Sequence, residues 1–397
     1  MNKRLAIVTT HPIQYNAPLF KLLTERNIVD IKVFYTFSQS QAGSLFDAGF
    51  AKIIEWDIPL LNGYEYLFIN NTAKKPGTWH FRGIKNPTLI SSIEEWGPDA
   101  VLVYGWSFKS HLQCIRYFKN KIPVLFRGDS NLIDKKSGFT KSIRNLLLKW
   151  VYRNVDHALY VGTANKLYYL KNGLKENQLT FAPHAIDNDR FCSNEQLFKR
   201  KALQRRLELG ITEKDIVFLF AGKLEPKKNP ELLIKAFQHL EGKAHLIIVG
   251  NGVLEKKIQG KTQSANIHFL AFQNQLEMPI IYRMGDVFVL PSSGPGETWG
   301  LAVNEAMASS SPVIVSDKCG SAFDLVQNGK NGYVFRSTDI EDLSKKMKLM
   351  LDKNIVRVMG ERSKQIIKYW SFEIICIEIE KIMQGLKGVH IRINNQN

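Results

Sequence analysis

The sequence predicts an α/β protein of two Rossmann-like, doubly wound parallel-sheet domains that face each other across a cleft. Three observations lead there. At 397 residues the chain exceeds one ordinary core and fits two domains of about 180 to 200 residues each. Short apolar runs alternate with amphipathic helical patterns almost throughout, the signature of parallel strands with helices on both faces. That alternation stops at a polar, charged stretch over 183–210 and then begins again.

In order, "RLAIVTT", "DIKVFYTF", "AVLVYGW", "IPVLFRGD" and "HALYVGT" read as buried strands of the first half. "DIVFLFAGK", "HLIIVGNG", "IHFLAF", "VFVLPSS", "PVIVSD" and "GYVF" repeat the style in the second. Helices such as "PELLIKAFQHL" and "DLSKKMKLMLDK" lie between them, and Pro18 is placed to open the first helix. The expected division is 1–187 for the first domain and 188–370 for the second. Residues 371–397 are expected to form a C-terminal helix crossing back to the first domain, and a tail.

Composition narrows the class. Hydrophobic content of 44% with 23% charge is that of a soluble globular chain. The four cysteines (Cys114, Cys192, Cys319, Cys376) form no CxxC pair, which suggests a reducing compartment without a zinc or disulfide framework. "MNKRLAIVTTHPIQYN" reads as a strand rather than a signal peptide, and no run approaches the roughly 18 apolar residues of a membrane span. The net charge is +17, and residues 101–150 hold ten Lys/Arg (109, 116, 119, 121, 127, 135, 136, 141, 144, 149) against two Asp. Such a surface suits anionic lipid, nucleic acid or phosphorylated substrates, or is simply a solvated face.

The chemistry gathers at strand ends, where ligands of such sheets bind. In "PSSGPGETWGLAVNEAMASSSPVIVSD" a strand runs into a glycine-rich loop and then a helical pattern. A helix entrance near Gly296 would offer backbone N–H groups to a phosphate. Glu297 falls in the loop and Glu305 eight residues on, about two turns into the helix, so both can face one side and accept from sugar hydroxyl pairs. Neither reads as core. "FLFAGKLEPKKNPELLIKAF" ends a strand at Ala221-Gly222 and presents Lys223 and Lys228 before a helix opened by Pro230. Two lysines there can neutralise a diphosphate without metal; surface lysine is the plain alternative.

At these residues the chain resembles retaining GT-B glycosyltransferases of family 4. Glu297 and Glu305 fit the E-x7-E signature. "AGKLEPKKN" is similar to "GRLxxxKG", with Lys223 where arginine is usual; "PHAIDNDRF" is similar to "PNGVDxxRF", and "IVGNG" to "xVGxGP". The resemblance covers nearly the whole chain and is strongest over 158–335. It implies a nucleotide-sugar donor as substrate, bound by the domain over 188–370, an acceptor bound by the domain over 1–187, and no resident cofactor. Lys223 and Lys228 would hold the diphosphate with Gly222, Gly296, Thr298, Gly300 and Leu301 around it. Glu305 would hold the ribose, Glu297 the donor sugar, and backbone near Ala271 and Phe272 the base.

Two departures stand out. The first N-terminal loop, "TTHPIQYNAPLF", carries His11, Gln14 and Asn16 where the family often has a glycine pair, and these become the acceptor candidates. Where many members place a histidine, "IPVLFRGDSN" offers Arg127 and Asp129, as catalytic candidates or a structural ion pair. The expected partners are a nucleotide-sugar, a saccharide or lipid-linked acceptor and an anionic membrane surface, with no nucleic acid. The expected setting is cytoplasmic, peripheral on the inner face of the plasma membrane, in cell-surface polysaccharide synthesis.

Lookalikes carry less. "GNGVLE" puts Glu255 where a dinucleotide fingerprint needs its third glycine. "DND" at 187–189 mimics a metal-binding DxD but lies in the interdomain motif, and His245 and His268 read as core or edge histidines. A nucleotide-sugar epimerase or a pyridoxal-dependent phosphorylase of the same fold is the near alternative. A basic nucleic-acid-binding protein is the distant one, because the aromatics of "LLLKWVYRN" fall among leucines at helical spacing and read as core.

Overall fold

The computed structural model describes residues 2–386 apart from 42, 43, 48, 51, 134–138, 241, 243, 263 and 295. Two compact units emerge. Unit 1 comprises 1–44, 59–183 and the chain from Phe372 on, and unit 2 comprises 45–58 and 184–371. These bounds differ from the expected 1–187, 188–370 and 371–397 in one large respect. Residues 45–58, from the heart of the N-terminal half, pack with unit 2. Lys135 and Lys136 of the basic stretch, and residues 387–397 of the tail, lie outside the described residues.

The strands of unit 1 are β1 (Lys3–Thr9), β2 (Val29–Tyr35), β5 (Glu65–Phe68), β6 (Ala100–Tyr104), β7 (Val124–Arg127), β8 (His157–Tyr160) and β9 (Leu179–Phe181). They form one sheet in the order β5-β2-β1-β6-β7-β8-β9, with parallel pairing at every junction. The two remaining N-terminal strands, β3 (Ser44–Asp47) and β4 (Lys52–Glu55), form a separate two-stranded ribbon. Unit 2 has β10 (Ile216–Ala221), β11 (Ala244–Val249), β12 (Ile267–Leu270), β13 (Val287–Leu290), β14 (Val313–Ser316) and β15 (Gly332–Phe335), ordered β12-β11-β10-β13-β14-β15 and parallel throughout. Leu5–Val8 of β1 and all of β13 and β14 are buried, as continuous apolar runs covered on both faces require.

Helices of unit 1 are α1 (Ala17–Arg26), α2 (Leu89–Trp96), α3 (Lys109–Phe118), α4 (Phe139–Tyr152) and α5 (Thr163–Lys171). Unit 2 follows with α6 (Asn188–Cys192), α7 (Glu195–Glu208), α8 (Pro230–Gln238), α9 (Glu255–Lys261), α10 (Met278–Met284), α11 (Ala302–Ala308), α12 (Ala322–Leu325), α13 (Ile340–Lys348) and α14 (Lys353–Ile367). Their ends follow local chemistry. Pro18 sits in the first turn of α1, and Asn27 closes it in the left-handed region at φ 52°. Asp352 caps α14 by accepting from the N–H of Asn354 at 2.7 Å. The last helix, α15 (Phe372–Gly385), packs with unit 1. Its Ile375, Cys376, Ile379 and Met383 are buried, and Arg26 grips Glu380 through two bonds of 2.6 and 2.7 Å. No described helix is long and apolar enough to cross a membrane.

Both sheets reverse their strand order beside their first strand, between β1 and β6 in unit 1 and between β10 and β13 in unit 2. Crossovers leave in opposite directions there, so loops at the carboxyl ends splay apart and open a crevice. In unit 1 that point is knitted by a buried histidine. His111 Nδ1 lies 3.0 Å from Tyr104 O and 3.2 Å from Gly105 O, and Nε2 lies 2.8 Å from Thr36 Oγ1. A ring facing two carbonyls through Nδ1 is a neutral donor at that nitrogen.

Burial pushes the His111 pKa down from 6.5 to about 4. Between these values the unfolded chain binds the proton and the folded chain does not. The contribution is therefore complete above pH 6.5 and is lost on acidification, by roughly 3 kcal/mol at pH 4. Urea midpoints measured from pH 7 to 4 should fall, and the fall should be shallower in His111→Gln than in the parent.

Candidate donor site at the strand ends of unit 2

The strand-end loops of unit 2 are tied into one surface by short backbone bonds. After β10, Gly222 N donates to Val249 O at 3.0 Å and Leu224 N to Asn251 O at 2.9 Å. Gly250, at φ +135°, has room for no side chain, because a Cβ there would lie 2.0 Å from Gly222 O. Asn251 then acts as a rivet. Its Oδ1 accepts from Phe272 N at 2.7 Å, and its Nδ2 donates to Glu255 at 2.8 Å. The glutamate that spoils the dinucleotide fingerprint thus has a structural task. The loop after β13 joins through Ser293 N, which donates to Lys227 O at 2.8 Å.

At this switch point the lysine of the loop after β10 meets the first glutamate of the E-x7-E signature. Lys228 Nζ lies 2.5 Å from Glu297 Oε2, and the same oxygen accepts from Ser292 Oγ at 3.0 Å. Ser292 is held in turn, its carbonyl accepting from Ser316 Oγ at the end of β14. Glu305 accepts from the Tyr282 hydroxyl at 2.6 Å, and both residues are buried.

Three expectations change here. Glu297 and Glu305 are 7% and 3% exposed, so both are interior residues rather than surface carboxylates. Glu305 stands in the first turn of α11 and not two turns in, because the helix begins at Ala302. Gly296, exposed at φ +97°, therefore belongs to a turn well before the helix entrance. Around it, Thr298 and Leu301 are half-buried. A Cβ on Gly300 would meet Cys319 Sγ at 2.6 Å. Trp299 donates to Asn304 Oδ1 at 2.8 Å, and Asn304 donates to His184 O at 2.8 Å, which roots the loop in the segment opening unit 2.

The expected base cradle also differs in detail. The Phe272 N–H is spent on Asn251, and Ala271 O accepts from Gln273 Nε2 at 3.1 Å. A neighbour that sequence reasoning missed lies beside it. Phe50, from the turn between β3 and β4, meets the Phe272 ring edge-on at 4.8 Å, with Lys223 Nζ 5.1 Å from its centroid. A Cβ on Gly49 would come within 2.4 Å of the Lys223 stem. Asp57 anchors the ribbon by accepting from Gln275 N at 3.0 Å and Leu276 N at 3.1 Å. Lys223 thus lies against the ribbon, while Lys228 holds Glu297.

The remaining candidates belong to unit 1. Arg127, at the end of β7, is buried, and its guanidinium donates to Ala182 O and Pro183 O at 2.8 Å each. Both terminal nitrogens are thus committed to the backbone that follows β9. Asp129 is half-buried two residues further on. His11 is edge-on to Phe37 at 6.4 Å, Gln14 is buried, and Asn16 precedes α1 with its carbonyl accepting from Phe20 N at 3.0 Å.

Of the lookalikes, Asp187 caps α6 by accepting from Arg190 N at 3.1 Å. His245 and His268 stack on adjacent strands with Nδ1 and Nε2 3.1 Å apart. Among the described residues no group of three or more His, Cys, Asp or Glu could hold a metal ion.

The model of the family described as glycosyl transferases group 1 matches residues 203–369, nearly all of the second sheet and its helices. The sulfoquinovosyl transferase of Arabidopsis thaliana is 27% identical over 294 residues, 70% of this chain and 55% of that protein. An uncharacterized glycosyltransferase of Methanocaldococcus jannaschii is 29% identical over 349 residues, 84% of this chain and 89% of its own length. An Escherichia coli galactosyltransferase acting from UDP-Gal on a diphosphoundecaprenol-linked GlcNAc is 27% identical over 200 residues, 48% of this chain and 49% of that protein. Among solved structures, Anabaena HepE in complex with UDP and glucose superposes with TM-score 0.69 at 13% identity, over 97% of this chain and 100% of that one. WaaG, a glycosyltransferase of lipopolysaccharide biosynthesis, gives TM-score 0.65 at 14% identity, over 96% and 100%. The fold, two parallel-sheet α/β units, is that of GT-B glycosyltransferase structures.

The Asn251 rivet yields a local test. Asn251→Ala leaves the Phe272 N–H without its acceptor, at a cost of about 1–3 kcal/mol. Hydrogen exchange at Phe272 should quicken at least tenfold, with the β10 and β13 amides unchanged.

Proposed function

We propose that the chain is a glycosyltransferase that moves a sugar from a nucleotide-sugar, bound by unit 2, to a saccharide or lipid-linked saccharide bound by unit 1. Retention at the anomeric carbon and a place in cell-surface polysaccharide synthesis are part of the same reading. The observation that carries it is the largely shielded Lys228–Glu297 pair at the switch point of the matched domain, with the Tyr282-held Glu305 on the helix that follows. The UDP in the HepE complex and the UDP-Gal of the E. coli relative make UDP-sugars the first donors to try.

In this reading the anomeric C–O bond to the diphosphate breaks, and its electron pair leaves with the phosphate oxygen. The acceptor hydroxyl forms the new bond on the same face, and its proton passes to the departing phosphate. No protein nucleophile is required. Lys223 and Lys228 stabilise the charge that grows on the diphosphate, an electrostatic contribution worth most where water is excluded. Glu305 accepts from the ribose hydroxyls, and Glu297 faces the sugar as it gains positive charge. Because Lys228 is already paired, the diphosphate takes the lysine from Glu297, and the released carboxylate becomes an acceptor for the sugar.

Two outcomes test this. Glu305→Gln should weaken nucleoside diphosphate binding by about ten- to a hundredfold in calorimetry, the loss of one charge-assisted hydrogen bond. Glu297→Gln should bind the diphosphate no more weakly than the parent, because Lys228 no longer has to be drawn from its partner, yet turn over much more slowly. Equal losses of diphosphate affinity in both would show the pair to be misassigned.

A third outcome concerns metal. Lysines are proposed as the counter-charge, so initial rates should be unchanged in excess EDTA. Collapse of the rate, restored by Mg or Mn, would overturn the lysine account of the leaving group.

A further inference from the structure

Helix α4 is apolar on two faces. Leu148, Val151 and Tyr152, with Val155 just beyond the helix, are buried in the core of unit 1. Ile143, Leu146, Leu147 and Trp150 have the same i, i+3, i+4, i+7 spacing, yet they are 57%, 69%, 44% and 40% exposed. At 100° per residue the five-residue offset turns the two sets about 140° apart, so the second set forms an exposed stripe on the outside of the unit. The expectation that the aromatics of this stretch are core residues therefore holds for Tyr152 and fails for Trp150.

The stripe is set in positive charge. Arg144, Lys149 and Arg153 are exposed along it, and Arg116 of α3 holds its guanidinium 5.1 Å from the centre of the Trp150 ring. The sequence has no Asp or Glu between Asp134 and Asp156. A contiguous exposed apolar patch in a soluble fold marks an interaction surface. Its partner must combine apolar depth with negative charge. A second copy of this chain fits poorly, because a two-fold contact through α4 would bring two like-charged faces together.

We infer that the outward face of α4 seats on an anionic lipid surface. The helix lies in the plane of the interface, with Leu146 and Trp150 entering the acyl boundary and the basic residues at the headgroups. Fourteen residues at 1.5 Å each reach about 21 Å, too short to span a bilayer, so the contact is peripheral. The inference uses the functional reading only in placing a lipid-linked acceptor beside unit 1. The surface itself rests on exposure and charge.

The test uses the full chain and vesicles of phosphatidylcholine with or without phosphatidylglycerol, in flotation, with no donor present. The parent should bind the phosphatidylglycerol vesicles and lose binding as salt rises. Leu146→Glu and Trp150→Ser should each weaken it by about tenfold or more with unchanged unfolding midpoints, since neither side chain belongs to the core. Replacing Arg144 and Lys149 together by Glu should abolish the preference for phosphatidylglycerol. Failure of the parent to bind, or binding of Leu146→Glu as tight as the parent, overturns the inference. So does a concentration-dependent dimer that Leu146→Glu dissolves, which assigns the stripe to self-association. Vesicle binding by a chain that transfers no sugar would sink the functional reading and leave this one standing.

Discussion

A lysine ammonium and a glutamate carboxylate, both mostly shielded from water, neutralise each other at the switch point of the second sheet. Removing either charge alone would strand the other in a medium where an unpaired ion costs several kcal/mol. The rest of the donor unit can be read as the means of keeping that pair in place. Ser292 gives Glu297 a second partner, Ser316 fixes Ser292, and Ser293 ties its loop back to the lysine's own turn through Lys227 O. Parallel strand order puts these loops side by side, since Lys228 follows β10 and Glu297 follows β13, and β10 and β13 are hydrogen-bonded neighbours. A pair held this way is ordered by its own unit, and on the proposed function it is exchangeable, since a diphosphate offers Lys228 two negative charges for one.

Most of the sheet architecture was legible because it depends on local pattern. Buried parallel strands are continuous apolar runs, and every run singled out in the second half is a strand. Missed elements were those whose stability is not local. β3 and β4 are four residues each, and the ribbon they form is held on unit 2 by Asp57 and Phe50 reaching residues more than two hundred positions away. No window along the chain contains that contact. α4 failed for a different reason. Its inward and outward stripes have the same spacing, and periodicity reports that a face is apolar without saying which of two faces meets the core.

The candidate site divides along the same line. Strand-end position and residue type were enough to single out Lys223, Lys228, Glu297 and Glu305. They did not foretell that Tyr282 would hold Glu305, that Asn251 would consume the Phe272 N–H, or that Phe50 would lie over Lys223, because each partner arrives from another part of the chain. Sequence reasoning took loop carboxylates to be exposed, as they usually are. Here Gly320 lets its backbone close on the loop that carries Glu297, where a Cβ would lie 1.8 Å from Thr298 O, while Glu305 is held by Tyr282 from another helix.

The two switch points also show where charge can act. In unit 1, His111 is held neutral by burial and spends its ring on Tyr104, Gly105 and Thr36, while Arg127 spends both terminal nitrogens on Ala182 and Pro183. These polar groups are satisfied within their own unit, by four backbone carbonyls and the Thr36 hydroxyl, so exchanging them for ligand would release strand ends and cost the fold its closure. In unit 2 the corresponding position holds two opposite charges on side chains, and exchanging one for ligand costs no strand. On the proposed function the same topology serves two tasks: a sheet whose switch-point polar groups are spent within their own unit is left with shape and hydrogen bonds for a saccharide, whereas one that keeps its charges on side chains can answer a diphosphate. Sequence alone left Arg127 as a catalytic candidate or a structural ion-pair residue; its partners are two backbone carbonyls.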